Sequence, residues 1–296
     1  MIVVTAPTGQ IGSALVRRLL EQDEQVRVIV RDPGRLAPDV RDRVEVVTGS
    51  HAEPAVLDQA LPGADALLWL VPPDRSAPDV REHYRRYATV AADAVRRHGT
   101  KHVVGISSAG HGWTEPAGVL SAAFAMDDEL AGSGAAYRAL SMPFYMENLL
   151  GQLDSICSAG VLSLAVPADR PFATVATADI AEAAAALLTD RSWRGQGDVP
   201  LFGPDRLTPD QMAEVMSKEL GRPVAYRPVT LEELAAGMRT AGAGDRAVRD
   251  TTDVFVAHAG GIYDADWAVA QLGSTGFATW CRTVLGSRAR AHPAWS

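Results

Sequence analysis

The segment Val4 to Gly12, VTAPTGQIG, constrains the fold more than any other stretch of the chain. It follows a short apolar run, Ile2 to Thr5, and precedes Gln10 to Glu21, where Ile11, Ala14, Leu15 and Leu19 share one helical stripe. A second β-branched run, Val26 to Val30, completes a βαβ pattern. A strand that turns through glycines into a helix gathers backbone N–H groups and the helix's positive end at one point, where a diphosphate can lie unobstructed. Gly9 suits close backbone approach, and Gly12 suits close packing of helix on strand. Ala6 stands where the tight turn usually has a glycine, and Pro7 is expected to hold Ala6 in extended backbone. The competing reading is a purely structural turn.

The alternation continues. Apolar runs at Val44 to Val47, Ala66 to Val71, Val103 to Ser107 and Ala136 to Leu140 read as strands, and Val80 to His98 reads as a helix ended by Gly99. Continuous apolar strands separated by helices imply a parallel sheet covered on both faces. The expected fold is α/β, a Rossmann-type doubly wound parallel sheet spanning residues 1–150 and continued by parts of 171–203. A smaller, mainly helical C-terminal substrate lobe is expected over 151–296. Helices are predicted there at Ala178 to Leu188, Thr208 to Leu220 and Thr230 to Thr240, with strands near Val199 and Val224. Thr208 is the expected cap and Pro209 the first helical residue of the second of these helices, and Ala241 to Gly244 reads as a connection.

Composition narrows the function. The net charge of -8 disfavours a nucleic-acid surface, because the short pairs Arg85-Arg86 and Arg96-Arg97 fall on one helix and make no basic stripe. No apolar run is long enough to span a membrane, and the N-terminus lacks the regions of a signal peptide, so a cytoplasmic protein is expected. Cys157 and Cys281 form no CxxC pair and read as buried thiols. Lys101 and Lys218 are the only lysines among 28 basic residues.

At the end of the second strand an acidic residue would accept a ribose 2'-hydroxyl. Arg31 follows Val30 instead, and a guanidinium there favours a 2'-phosphate, hence NADP(H). Asp32 is the rival, either as a hydroxyl acceptor or as the partner that neutralises Arg31.

These residues resemble the NmrA-like group of atypical short-chain dehydrogenases/reductases over nearly the whole chain. TAPTGQIG is similar to the group's TGATGxxG loop, VRDPGRL to its second-strand turn, HVVGISSAG to its fifth strand, and SGAAYRALSMPFYMENLL to SGLxYTILRPxxFMENLL. TADIAEAAAALLT and LFGPDRLTPDQMAEVMSKELGRPVAYRPV also resemble its segments. The resemblance implies an NAD(P)-binding Rossmann domain with the nicotinamide near Val71, Ser107 and Pro143 to Met146, Tyr145 among them; together with the loop and Arg31, this makes Thr5, Thr8, Gly9, Gln10, Ile11, Gly12 and Arg31 the expected contacts of NADP(H). The chain departs from the pattern at Ala6, at Ser50 in place of an aspartate, and at Ser141-Met142 in place of Arg-Pro.

Reductases of the wider group commonly protonate an alkoxide with a Tyr assisted by a Lys four residues on. None of the six tyrosines, Tyr84, Tyr87, Tyr137, Tyr145, Tyr226 and Tyr263, has such a lysine. A simple ketone would yield an alkoxide of pKa about 16, whereas a quinone yields a phenolate of about 10, a gap worth roughly 8 kcal/mol. Quinones, enones and iminium ions are therefore the favoured acceptors. His111 is the one candidate proton donor, against the reading of an exposed loop histidine. Trp113, Phe124, Tyr145, Met146 and Phe172 are candidate substrate contacts, against core packing.

GISSA at Gly105 to Ala109 approaches the nucleophile-elbow pattern but lacks its last glycine, so Ser107 reads as structural or ribose-facing. His98 and His102 are split by Gly99 and make no metal pair. The expected function is reduction of a quinone-like small molecule by NADPH. The alternative is an NADP-binding sensor without turnover, and a scaffold that has lost binding is a third reading. The expected partner is a small-molecule substrate, with no nucleic acid or membrane, and a homodimer is a possible assembly. Neither acceptor nor pathway is legible.

Overall fold

A computed structural model describes residues 1–72, 74 and 77–295. In chain order its first elements are β1 (Ile2–Thr5), α1 (Gln10–Glu21), β2 (Val26–Val30), α2 (Pro38–Arg41), β3 (Glu45–Thr48), α3 (Pro54–Ala60), β4 (Ala66–Trp69), α4 (Val80–His98), β5 (His102–Ser108), α5 (Val119–Ala131) and β6 (Ala136–Met142). There follow β7 (Phe144–Tyr145), α6 (Leu153–Ala159), β8 (Val161–Leu162), β9 (Thr174–Val175), α7 (Thr177–Thr189), β10 (Gln196–Phe202), α8 (Pro209–Leu220), β11 (Ala225–Tyr226), α9 (Leu231–Thr240), α10 (Asp245–Gly260), β12 (Gln271–Leu272), α11 (Phe277–Trp280) and α12 (Gly286–Arg290).

Two compact units share the chain. The first holds Met1–Ser108, Val119–Ser141 and Ile180–Val199; the second holds Ala109–Gly118, Met142–Asp179 and the chain from Pro200 on. The chain leaves the first unit at Ala109–Gly118 and again after Ser141, and returns to it for most of α7 and the start of β10.

The sheet order is β12-β10-β6-β5-β4-β1-β2-β3. β1 pairs in parallel with β2 and β4, so the chain reverses its direction of winding at β1, the arrangement expected of a doubly wound sheet. β1 and β4 are fully buried and read as uninterrupted apolar runs, consistent with a sheet covered on both faces. Between α3, α4, α5 and the strands they cover, the first unit's core includes Leu57, Leu67, Trp69, Ala91, Val103 and Leu130.

α4 matches its sequence pattern residue for residue. Asp79 caps its start by accepting from the N–H groups of Arg81 and Glu82, and Gly99, at φ 66°, closes its end in the left-handed conformation.

The second unit has its own core, built from Met146, Ile156, Phe172, Met212, Phe277 and Trp280 among others. Thr208 and Gln211 cap α8 reciprocally, with Pro209 at its first turn, as the sequence suggests. Thr230 and Glu233 do the same for α9. Cys157 and Cys281 are both buried and unbridged, and no helix among the described residues is long and apolar enough to cross a membrane.

Candidate functional site

The glycine loop lies between β1 and α1, at the carboxyl end of a strand flanked by β2 and β4. Its turn is closed by Gly9 N donating to Ala6 O at 3.1 Å, and Ser13 N then donates to Gly9 O at 2.9 Å as α1 begins. Ala6 adopts φ 51°, which corrects the expectation of extended backbone. The bond from Gly9 to the Ala6 carbonyl and the packing of Gly12 on that carbonyl set the turn, and both outweigh the local preference imposed by Pro7. A left-handed alanine costs about 1–2 kcal/mol. The residue here serves as a glycine would, with a methyl group added.

Gly9 is the N-cap of α1 and provides no side-chain cap, and the first turn carries no acidic residue. The positive end of the helix is thus left for an anion. Gly9 and Gln10 are exposed, Thr8 is half-buried, and Ile11 and Gly12 are buried. Thr5 is 0 % exposed, and its hydroxyl joins β1 to the β4 segment by donating to Leu68 O at 3.1 Å and accepting from Leu70 N at 2.9 Å. It shapes the crevice from within.

At the end of β2, Arg31 and Asp32 have different surroundings. The Asp32 carboxylate accepts from Gly34 N at 2.9 Å and caps the short turn at 33–35. Arg31 is exposed and forms no ion pair with a described residue. Its positive charge reaches His51, whose imidazole Nε2 donates to Leu70 O at 3.0 Å; a carbonyl only accepts, so Nε2 carries the proton. Burial, aided by the charges of Arg31 and His83, lowers the pKa of His51 to about 4. His83 reaches Pro72 O at 3.0 Å, so two imidazoles hold the chain just past β4, on either side of Val71. Val71 itself is 5 % exposed.

These residues fit a dinucleotide phosphate: an uncapped helix N-terminus, a glycine turn that a Cβ would obstruct, and an uncommitted guanidinium about twenty residues on. Built on Gly12, a Cβ would lie 2.2 Å from Ala6 O.

Ser107 is the penultimate residue of β5, within the same unit, 6 % exposed. Its hydroxyl donates to Asp127 of α5, and the Tyr137 hydroxyl of β6 donates to the other carboxylate oxygen at 2.5 Å. The sequence pattern singled out Ser107 but neither role of Asp127 and Tyr137. The available signal was Gly105, two residues before Ser107 on the same strand face: a Cβ on Gly105 would lie 2.0 Å from the Tyr137 hydroxyl. Phe124 is half-buried on α5.

The remaining candidates belong to the second unit. His111 is exposed in the segment after β5, and Trp113 is half-buried beside Gly260, where a Cβ would meet its ring at 2.8 Å. Pro143 is buried and Tyr145 half-buried, in the β7 strand that pairs with β9. Met146 at 0 % and Phe172 at 2 % exposure pack in the core of the second unit. Phe172 packs against Phe144 and His258 at ring separations of 5.0 Å. Burial among these rings lowers the His258 pKa to about 3. No cluster of metal-ligating side chains occurs among the described residues.

A family model described as the NmrA-like family matches residues 1–244. Among characterised proteins, quinone oxidoreductase 2 of Escherichia coli strain K12 is 26% identical over 275 residues, 92% of this chain and 93% of its own. The (4-alkanoyl-5-oxo-2,5-dihydrofuran-3-yl)methyl phosphate reductase of Streptomyces griseus is 32% identical over 234 residues, 78% of each chain. The crystal structure of Citrobacter sp. triphenylmethane reductase complexed with NADP(H) superposes with a TM-score of 0.76 at 22% identity, covering 98% of this chain and 100% of that one. At that identity the likeness establishes the fold.

Proposed function

The chain belongs to the NmrA-like family, and on that premise we propose that it is a reductase that takes hydride from NADPH and delivers it to a quinone-like or otherwise conjugated small molecule. The observation that carries the reading is the pairing of an uncapped α1 N-terminus with an Arg31 guanidinium that no described residue neutralises. The first suits a diphosphate and the second a 2'-phosphate. Relatives named as a quinone oxidoreductase, a furan phosphate reductase and an azoreductase support a reductive role.

When bound, NADPH supplies the hydride. Thr8 to Gly12 would hold its diphosphate through backbone N–H groups, and Arg31 would hold its 2'-phosphate. Thr5, His51 and His83 keep the ends of β1 and β4 in register by bonding to backbone groups of Leu68, Leu70 and Pro72. No tyrosine has a lysine four residues on, so the acceptor must generate an anion mild enough for solvent to protonate. That requirement selects conjugated acceptors over simple ketones. His111, exposed after β5, is the remaining side chain proposed for proton delivery.

The sensor reading keeps one supporting observation, the same missing Tyr and Lys pair. A crystal soaked with NADPH tests the binding half directly: density along Thr8 to Gly12 with a phosphate at Arg31 supports it, and a crevice filled by the chain's own side chains contradicts it. The proposal places the enzyme in the cytosol with a small-molecule partner; sedimentation decides whether it forms a homodimer.

A further inference from the structure

Three buried oxygen-bearing side chains of the first unit form one network. Ser107, Asp127 and Tyr137 are 6, 5 and 2 % exposed and come from β5, α5 and β6. The two hydroxyls donate to different oxygens of the Asp127 carboxylate. Gly105 is required for this arrangement, since any side chain there would meet the Tyr137 hydroxyl.

An ionised carboxylate only accepts, so the direction of both bonds is fixed. The Ser107 proton is committed to Asp127, and the oxygen keeps only lone pairs for any other partner. Ser107 stands at the carboxyl end of β5, the side of a doubly wound sheet on which ligands lie. We propose that Asp127 is a positioning residue that makes Ser107 an obligatory hydrogen-bond acceptor, so that this edge of the site recognises an O–H or N–H donor of the bound dinucleotide. A ribose hydroxyl and a carboxamide N–H share that chemistry.

The arrangement also explains why Ser107 is no hydrolytic nucleophile despite its GISSA context. Its proton faces a carboxylate, and the adjoining tyrosine hydroxyl is pushed well above its ordinary pKa by burial and by Asp127. A structural role alone would tie three elements together without setting the polarity of Ser107. The two roles differ in what a ligand feels.

The inference rests on dinucleotide binding, and the experiment separates the two. NADPH is titrated by nicotinamide fluorescence into the full chain and into Ser107→Ala, Asp127→Asn, Tyr137→Phe and the double variant Ser107→Ala with Asp127→Asn. An amide at 127 can donate to Ser107 and turn its proton outward. Ser107→Ala and Asp127→Asn are each expected to weaken NADPH about tenfold, the worth of one hydrogen bond. The double variant should bind no more weakly than Ser107→Ala alone, because Asp127 acts only through Ser107.

Tyr137→Phe leaves the Ser107 bond in place and should bind as the unmodified chain does, while unfolding at lower denaturant. Asp127→Asn binding unchanged, or losses that multiply in the double variant, would overturn the proposal while leaving dinucleotide binding intact. An unmodified chain that takes up no NADPH overturns the reading of the site itself. Should Asp127→Asn fail to fold, Ser107→Thr decides: it keeps the hydroxyl and must keep the affinity that Ser107→Ala loses, and equal loss in both overturns the proposal.

Discussion

Gly12 lies against the carbonyl oxygen of Ala6, with room for hydrogen alone: a Cβ on Gly12 would sit 2.2 Å from that oxygen. The contact binds the first turn of α1 to the bend that precedes it, so the proposed phosphate-binding geometry and stability share one origin. Gly12→Ala must push the helix away from the turn. The expected cost is about 1–3 kcal/mol, the range for overpacking a close contact, with NADPH binding lost in parallel. Urea denaturation and fluorescence titration of the same variant read both effects.

Ala6 offers the reverse experiment. Its φ of 51° suits glycine, and Ala6→Gly removes a strained Cβ while increasing the freedom of the unfolded chain. The relief is the larger of the two, so a net gain of up to about 1 kcal/mol is expected in the urea midpoint. NADPH affinity should be retained or improved. A destabilised Ala6→Gly would show that the methyl group is favourable where it stands.

Arg31→Ala should separate the two coenzymes. Removing a charged donor from a phosphate costs about 1.5–3 kcal/mol, or roughly ten- to a hundredfold in NADPH affinity, while NADH should change little. Titration of both coenzymes against both proteins measures the split. Equal losses for NADPH and NADH would place Arg31 elsewhere in the site.

Two buried imidazoles predict acid sensitivity. Burial lowers the pKa of His51 to about 4 and that of His258 to about 3, from an ordinary value of 6.5. The unfolded chain therefore binds protons first as pH falls. Their stabilising contribution is complete above pH 6.5 and declines toward pH 4 and pH 3 respectively, amounting to about 3 kcal/mol or more from each by linkage. Unfolding midpoints measured from pH 7 to pH 4 should fall, and His258→Phe should flatten the slope. A profile unchanged by that variant would assign the acid sensitivity to other groups.

The sequence made the fold legible where periodicity and caps agreed. α4 was readable from its stripe, its terminal glycine and its length, and the order of β1 to β6 followed from their apolar runs. α5 was not readable: VLSAAFAMDDELA is apolar around most of its circumference and shows no stripe. α10 was hidden because Thr251, Thr252, Val254 and Val256 favour strand and its N-cap, Gly244, offers no side chain. At the site, the loop and Arg31 could be found from local spacing. Asp127 and Tyr137 could not, since their meeting at Ser107 depends on contacts across β5, α5 and β6. The burial of Met146 and Phe172 was not legible either, because an apolar residue in a core and one in a pocket look alike in sequence.

The most direct test is an anaerobic single-turnover experiment that follows nicotinamide absorbance when the NADPH-loaded chain is mixed with a panel of quinones, enones and azo compounds. The proposed function requires saturable loss of the reduced-nicotinamide band with at least one conjugated acceptor, none with a simple ketone, and loss of the reaction in Arg31→Ala at limiting NADPH. Saturable NADPH binding with the band unchanged across the whole panel would contradict it and identify a protein that reads the coenzyme without using it.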